Sequence, residues 1–167
     1  RNFSRLDESQ INPVDIHSGI DSTLLILQHQ FAKNSKYPEI EVITKYSQLP
    51  QITCYASELN QVFLNIIGNS IDALRDKQKE KPIITISTSL KDKKNILISI
   101  KDNGIGIDKS ALNKIFDPFF TTKPVGSGTG LGLSTSYSIV VEKHQGNLSC
   151  NSTLGEGTEF LIELPLH

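Results

Sequence analysis

The stretch "ELNQVFLNIIGNSIDAL", Glu58 to Leu74, carries two patterns on one segment. Leu59, Val62, Phe63, Ile66, Ile67, Ile71 and Leu74 recur at helical spacing, which predicts an amphipathic helix over 57–77 with its apolar side on a core. Beside that stripe, Asn65, Asn69 and Asp72 follow one another at steps of four and three and so stack along one edge. Asparagine is a weak helix former, and its amide needs partners when half-buried. A single amide there fits a bond to a neighbouring loop, whereas two on one edge favour contact with a ligand.

Outward from this helix, Asp15 reads as the N-cap of an earlier one, with Ile16, Ile20, Leu24, Leu27 and Phe31 facing the core. A strand follows near 41–46. The charged run "RDKQKEKP" ends the central helix, and strands over 83–90 and 96–101 flank the turn "KDKKN". Ile96, Ile98 and Ile100 alternate inward with Asp102 in the same phase. A short helix is placed around 109–115, then "FDPFFTTKP", then Gly126, Gly128, Gly130 and Gly132 leading into a helix over 131–143. Strands over 147–151 and 158–164, joined through "LGEG", close the chain as a hairpin with Phe160, Ile162 and Leu164 on one face. This mixture predicts an α+β fold: a two-layer α/β sandwich, one mixed twisted sheet with helices on one face, and not a doubly wound one.

Composition narrows the function. A chain of 167 residues suits one domain, and a net charge of -1 gives no general attraction to nucleic acid or to an anionic membrane. No apolar run approaches the length of a bilayer span, and "RNFSRLDESQ" lacks the apolar centre of a signal peptide, so the chain reads as soluble and cytoplasmic. Cys54 and Cys150 match no metal or redox spacing and read as reduced, buried thiols. The polar first dozen residues, ending at Pro13, look like the tail of a preceding element, which divides the chain into 1–13 and 14–167.

The glycine run suggests a phosphate loop ahead of a helix N-terminus. No glycine in it is followed by lysine, as a P-loop requires, and a Rossmann turn would need glycine at Leu131 or Leu133. Both familiar loops are therefore excluded. Neutral amide oxygens such as those of Asn65 and Asn69 can complete the shell of a Mg²⁺ whose charge is balanced mainly by phosphates. Asp102, pointing to the core side in "DNGIGI", needs a donor there. It can bond nearby backbone N–H groups as a turn residue, or accept from an exocyclic amine such as that of adenine while Gly104 and Gly106 admit a flat ring. The inward-facing hydroxyl of Thr158 also needs a partner, for which backbone bonding suffices.

Taken together, these stretches resemble the nucleotide-binding domain of sensor histidine kinases, in the superfamily with gyrase-type ATPases, Hsp90 and MutL. The match covers an asparagine box in "NQVFLNIIGNSIDAL", a first glycine box in "DNGIGI", a phenylalanine box in "FDPFFTTK", a second glycine box in "GSGTGLGLS" and a terminal "GEGTEFLIELP". It spans roughly Asp15 to Pro165, and four boxes in order are far more specific than any one.

The resemblance implies the Bergerat ATP-binding fold, with ATP and Mg²⁺ as ligands and a glycine-rich lid over the phosphates. It implies a binding set of Asn65, Asn69, Asp72, Asp102, Gly104, Gly106, Ile107, Lys123, Gly128, Thr129, Gly130, Leu131, Gly132 and Thr158. Within that set, Asn69 is the main Mg²⁺ ligand with Asn65 beside the metal, Asp102 binds the adenine amine, and Thr158 supports Asp102 through a water. Phe116, Phe119 and Phe120 are lid packing or partner contacts. Asp72 stands where many members have a basic residue, with Arg75 one turn on.

Related ATPases and serine kinases carry glutamate at the position of Asn65, which cannot take a proton. The resemblance therefore implies a domain that binds ATP and delivers its γ-phosphoryl group, rather than one that hydrolyses it well. None of His17, His29, His144 and His167 is followed by the acidic residue of a phosphoacceptor. The acceptor is then expected on a separate histidine-bearing dimerisation domain, of whose second helix 1–13 is the end and linker. The catalytic set in this chain holds no acceptor residue. The expected partners are that domain and a response regulator receiver domain, and the isolated chain is expected to be monomeric in a parent that can be membrane-anchored. The alternatives are a same-fold ATPase or serine kinase, opposed by Asn65, and a nucleotide-free interaction module, opposed by the intact Asn69, Asp102 and glycine set.

Overall fold

In strand β5, Asn95–Asp102, residues Ile96, Ile98, Ile100 and Asp102 are buried while Lys101 is exposed, the period-two pattern of a sheet with one covered face. A computed structural model describes residues 11–76, 81–120 and 132–166. Around β5 lie β2 (Glu41–Lys45), β4 (Ile83–Lys91), β6 (Asn147–Thr153) and β7 (Gly157–Pro165), in the order β2-β4-β5-β7-β6. β2 runs parallel to β4 and every other pairing is antiparallel, so the sheet is mixed. The parallel pair needs a crossover, and helix α2 (Ala56–Asp76) lies in that connection.

The helical layer packs on the buried face. Helix α1 (Ile16–Phe31) begins at Asp15, whose carboxylate accepts the His17 backbone N–H at 3.0 Å as an N-cap. Helix α2 buries its whole predicted stripe, Leu59 through Leu74, and the core is completed by the isoleucines of β4 and β5 and by Phe160, Ile162 and Leu164 of β7. The helix expected over 131–143 is described from Gly132 and has two parts. Helix α3 (Gly132–Tyr137) is α-helical, and Ser138–Lys143 continues it as π-helix. The widened turns let His144 Nδ1 donate to the Ile139 carbonyl at 2.8 Å while its Nε2 accepts the Tyr55 N–H at 3.0 Å. The short helix expected around 109–115 is confined to a 3-10 turn, Leu112–Lys114.

A second sheet was absent from the sequence reading. β1 (Asn12–Val14) pairs antiparallel with β3 (Ile52–Cys54), so Asn12 and Pro13 are already part of the folded unit. Strands of three residues carry too little alternation to be read, and Pro13 signals a break rather than an edge strand. No helix among the described residues is long and apolar enough to cross a membrane.

Candidate nucleotide-binding cleft

Between α2, the loop after β5, the start of α3 and β7 lies a cleft of about 640 Å³. It brings together Asn65, Asn69, Asp72, Asp102, Gly106, Ile107, Gly132 and Thr158 from segments far apart in the chain. Among the described residues of the expected set, Gly104 alone is outside its lining. Lys123, Gly128, Thr129, Gly130 and Leu131 lie outside the described residues.

Asp102 stands at the closed end. Its phase in β5 turns the carboxylate to the helix side, where it is 3% exposed and its Oδ1 accepts the Gly104 N–H at 2.8 Å. The turn bond and the position in the cleft thus coexist. The neighbouring Cys150 thiol is pushed up to about 12, by burial first and then by the negative charge of Asp102. Across the sheet, Thr158 is the register partner of Asp102 and is 5% exposed.

The loop "DNGIGI" is fixed from both sides. The Ile105 N–H donates to the Ala73 carbonyl of α2 at 3.1 Å, and the Ile105 carbonyl accepts the Gly155 N–H at 2.6 Å from the β6–β7 turn. A Cβ on Gly104 would stand 2.7 Å from the Ala73 carbonyl carbon and oxygen, so the close pass of α2 by itself requires glycine here. Gly106 has φ +79°, and a Cβ there would run into the Thr153 carbonyl, although Gly106 also faces the cleft.

On α2, the Asn65 amide joins two helices. Its Nδ2 donates to the Gly132 carbonyl at 3.0 Å and to Ser136 Oγ at 3.2 Å, and its Oδ1 accepts from the Gln61 amide at 2.8 Å. It therefore holds the N-terminal end of α3 against α2. The side-chain amide of Asn69, one turn on, makes no hydrogen bond to another described residue, and Asn69 lines the cleft. Arg75 turns away: its guanidinium lies over the Tyr37 ring, 4.9 Å from the centroid, and donates to the Gln30 carbonyl at 3.3 Å. Phe120 lines the cleft, Phe116 packs on Tyr137 and Phe160, and Phe119 is 73% exposed.

Several site residues escaped the sequence reading. Leu64, Ile115 and Phe160 line the cleft as apolar wall, and Leu27 and Gln30 of α1 reach its far end. Ser136, fully buried, backs Asn65. Ser152 had a readable signal, since extending β6 by one alternation past Cys150 puts it in the phase that faces Thr158.

A fold of this kind with a buried acidic residue at the closed end of the cleft defines a class of nucleotide-binding domain. The family of histidine kinase-, DNA gyrase B- and HSP90-like ATPases matches residues 54–167, and the chain belongs to it. Within that family its likeness is to the ATP-binding catalytic domain of sensor histidine kinases. The signal transduction histidine-protein kinase AtoS of Escherichia coli (strain K12) is 37% identical over 166 residues, 99% of this chain and 26% of AtoS. Sporulation kinase E of Bacillus subtilis (strain 168) is 42% identical over 118 residues, 71% of this chain and 15% of that protein. The chain thus spans about a quarter or less of the length of these relatives. The solved catalytic domain of histidine kinase ThkA, in a nucleotide-free form, shares the fold at a TM-score of 0.78 and 23% identity, covering 94% of this chain and 98% of that one. Full-length ShkA in complex with AMPPNP gives a TM-score of 0.78 at 26% identity, covering 94% of this chain and 31% of that one.

Proposed function

We propose that this domain binds Mg²⁺-ATP in the cleft and donates the γ-phosphoryl group to a histidine on a separate dimerisation domain of the same parent protein, which then serves a response regulator receiver domain. The observation that carries this reading is the pair Asp102 and Thr158 at the closed end of a cleft whose α2 wall presents Asn69. The Asp102 carboxylate in the lining suits an exocyclic amine, and the apolar walls Leu64, Ile115 and Phe160 suit a flat base. The Asn69 side-chain amide, without a partner among the described residues, suits a Mg²⁺ that shares its shell with phosphates and offsets their charge. Asn65 belongs to the phosphate end as the tie that holds α3 in place, and Asp72 to the same wall.

Transfer then rests on positioning and charge stabilisation, because the position of Asn65 offers no general base. The described histidines support an acceptor outside this chain. His144 is buried with both ring nitrogens engaged, His17 stacks on Tyr46 with Nε2 on Thr88, and His29 sits on exposed α1 followed by Gln30. The solved complexes of ShkA with AMPPNP and of ThkA with the response regulator TrrA support the same assignment of ligand and partner. On this reading the isolated domain is monomeric and cytoplasmic, without affinity for nucleic acid; the helix end expected over 1–13 lies mostly outside the described residues, and Asn12 and Pro13 belong to β1.

The test is calorimetric titration of the domain with AMPPNP and Mg²⁺, wild type against Asp102→Ala, with phosphate release from ATP followed in parallel. Wild-type binding that weakens at least about tenfold in Asp102→Ala, the loss of one charge-assisted hydrogen bond or more, with negligible phosphate release, is the expected result. Absence of binding up to millimolar nucleotide would overturn the reading in favour of a nucleotide-free module. Steady turnover would move it to the ATPase branch.

A further inference from the structure

Asn103 and Gly104 form the only asparagine–glycine step in the chain. Such a step is the weakest point of a polypeptide toward deamidation, because glycine has no Cβ to shield its nitrogen from the preceding side chain. In that reaction hydroxide takes the proton of the Gly104 backbone nitrogen, which attacks Asn103 Cγ. The new N–C bond closes a five-membered succinimide, the Cγ–Nδ2 bond breaks, and the amide nitrogen takes a proton from water and leaves as ammonia. Water then opens the ring at either carbonyl, leaving aspartate or isoaspartate at position 103. The isoaspartate product carries one extra backbone carbon ahead of Gly104, next to Asp102 at the closed end of the cleft. Because Gly104 has no room for a Cβ against the Ala73 carbonyl, the packing of α2 itself keeps this weak step in the chain.

The fold holds both reacting groups. Asn103 is half-buried, and its amide is clamped: Oδ1 accepts the Ile83 N–H at 2.8 Å and Nδ2 donates to the Lys81 carbonyl at 2.9 Å. The nucleophile is held by Asp102, whose Oδ1 accepts the Gly104 N–H at 2.8 Å in a buried setting. Taking the Gly104 proton there breaks a charge-assisted hydrogen bond and sets an amide anion directly against a buried carboxylate, where like charges repel at low dielectric. We propose that the Asn103–Gly104 step is a latent deamidation site and that Asp102 is its guard, a positioning residue that keeps the Gly104 nitrogen protonated and in place. The clamp restrains the carbon under attack, and Asp102 restrains the atom that attacks it.

The inference concerns the loop alone and does not rest on the nucleotide reading. Wild type, Asp102→Asn, Asp102→Ala and His144→Ala are incubated without nucleotide in mildly alkaline buffer, each checked by circular dichroism and thermal melting. Deamidation at Asn103 and, for comparison, at Asn151 is followed by peptide mass mapping, and isoaspartate by methyltransferase labelling. Wild type is expected to react slowly at Asn103 when folded and fast in urea. Asp102→Ala is expected to speed the folded-state reaction at Asn103 at least about tenfold, the loss of one charge-assisted hydrogen bond, and to leave Asn151 unchanged. Asp102→Asn, which keeps an acceptor and drops the charge, falls between the two. His144→Ala, which loosens the tie to Tyr55 instead, leaves Asn103 slow. A wild-type rate in Asp102→Ala means that the amide clamp alone protects the step, and it overturns the inference. So does a rise shared by Asn151 or by His144→Ala, which marks general loosening, and so does a folded wild type that reacts as fast as the chain in urea. If Asp102→Ala melts below the incubation temperature, Asp102→Asn decides, and a wild-type rate at Asn103 there overturns the inference.

Discussion

Gly104 and Gly106 lie two residues apart in one motif and are glycines for different reasons. Gly104 has no room for a Cβ against the Ala73 carbonyl, while Gly106 needs a positive φ beside the Thr153 carbonyl. Gly104→Ala is expected to lower unfolding free energy by about 1–3 kcal/mol, the usual cost of forcing a methyl into packed backbone, as measured by urea denaturation. The two thiols give a pH dependence of known sign. Burial raises Cys54 from 9.0 to about 11, and burial with the Asp102 charge raises Cys150 from 9.0 to about 12. Above pH 9 the unfolded chain has lost protons that the folded chain still binds, so each step up in pH favours unfolding. Stability should be level in this respect below pH 8 and fall between pH 9 and 11, and alanine at both positions should flatten that slope in denaturation curves taken across the range.

At the scale of elements, the helix beginning at Gly132 is tied at both ends by side chains that propensity does not reveal. Asn65 and Ser136 hold its first turn, and His144 holds the end of its π-helical part to Tyr55 at the start of α2. Lys143 adds an ion pair to Glu58 and lies over the Tyr55 ring. His144→Ala removes the acceptor of the part-buried Tyr55 N–H and the ring donor on the Ile139 carbonyl, so a loss of about 1–3 kcal/mol is expected in chemical denaturation. Because the same helix begins at the cleft, AMPPNP affinity should also fall in this variant. A loss confined to stability would show that the two ends are mechanically independent.

For the molecule as a whole, protection should follow sheet order. β4, β5 and β7 are each hydrogen-bonded on both sides, whereas β2 and β6 are edges and β1 with β3 is a sheet of two. Amides of the three inner strands are expected to exchange only through global unfolding, those of β1 and β3 through cheaper local opening, as hydrogen exchange read by NMR would show. Early exchange at β5 would contradict a single core. The β5 backbone carries Asp102 at its end, so one of the three strands expected to be protected also positions the most deeply buried acid of the cleft.

By itself the sequence determined the helices over α1 and α2, all five strands of the main sheet, the burial of Asp102 and the family. In each case the information is periodic or local: the apolar stripe of α2, the alternation of β5, the cap at Asp15, the spacing of the boxes. Tertiary structure alone decided the rest. The pairing of β1 with β3 joins strands too short to show a period, and the π-helical turns answer a histidine that must reach Tyr55. Gly104 is a glycine because α2 passes over it, Arg75 leaves the cleft for Tyr37, and the Ser152 hydroxyl meets Thr158 because a hairpin register sets the two side by side. Those are contacts between residues distant in the chain, and no local pattern of residue types encodes the distance between them.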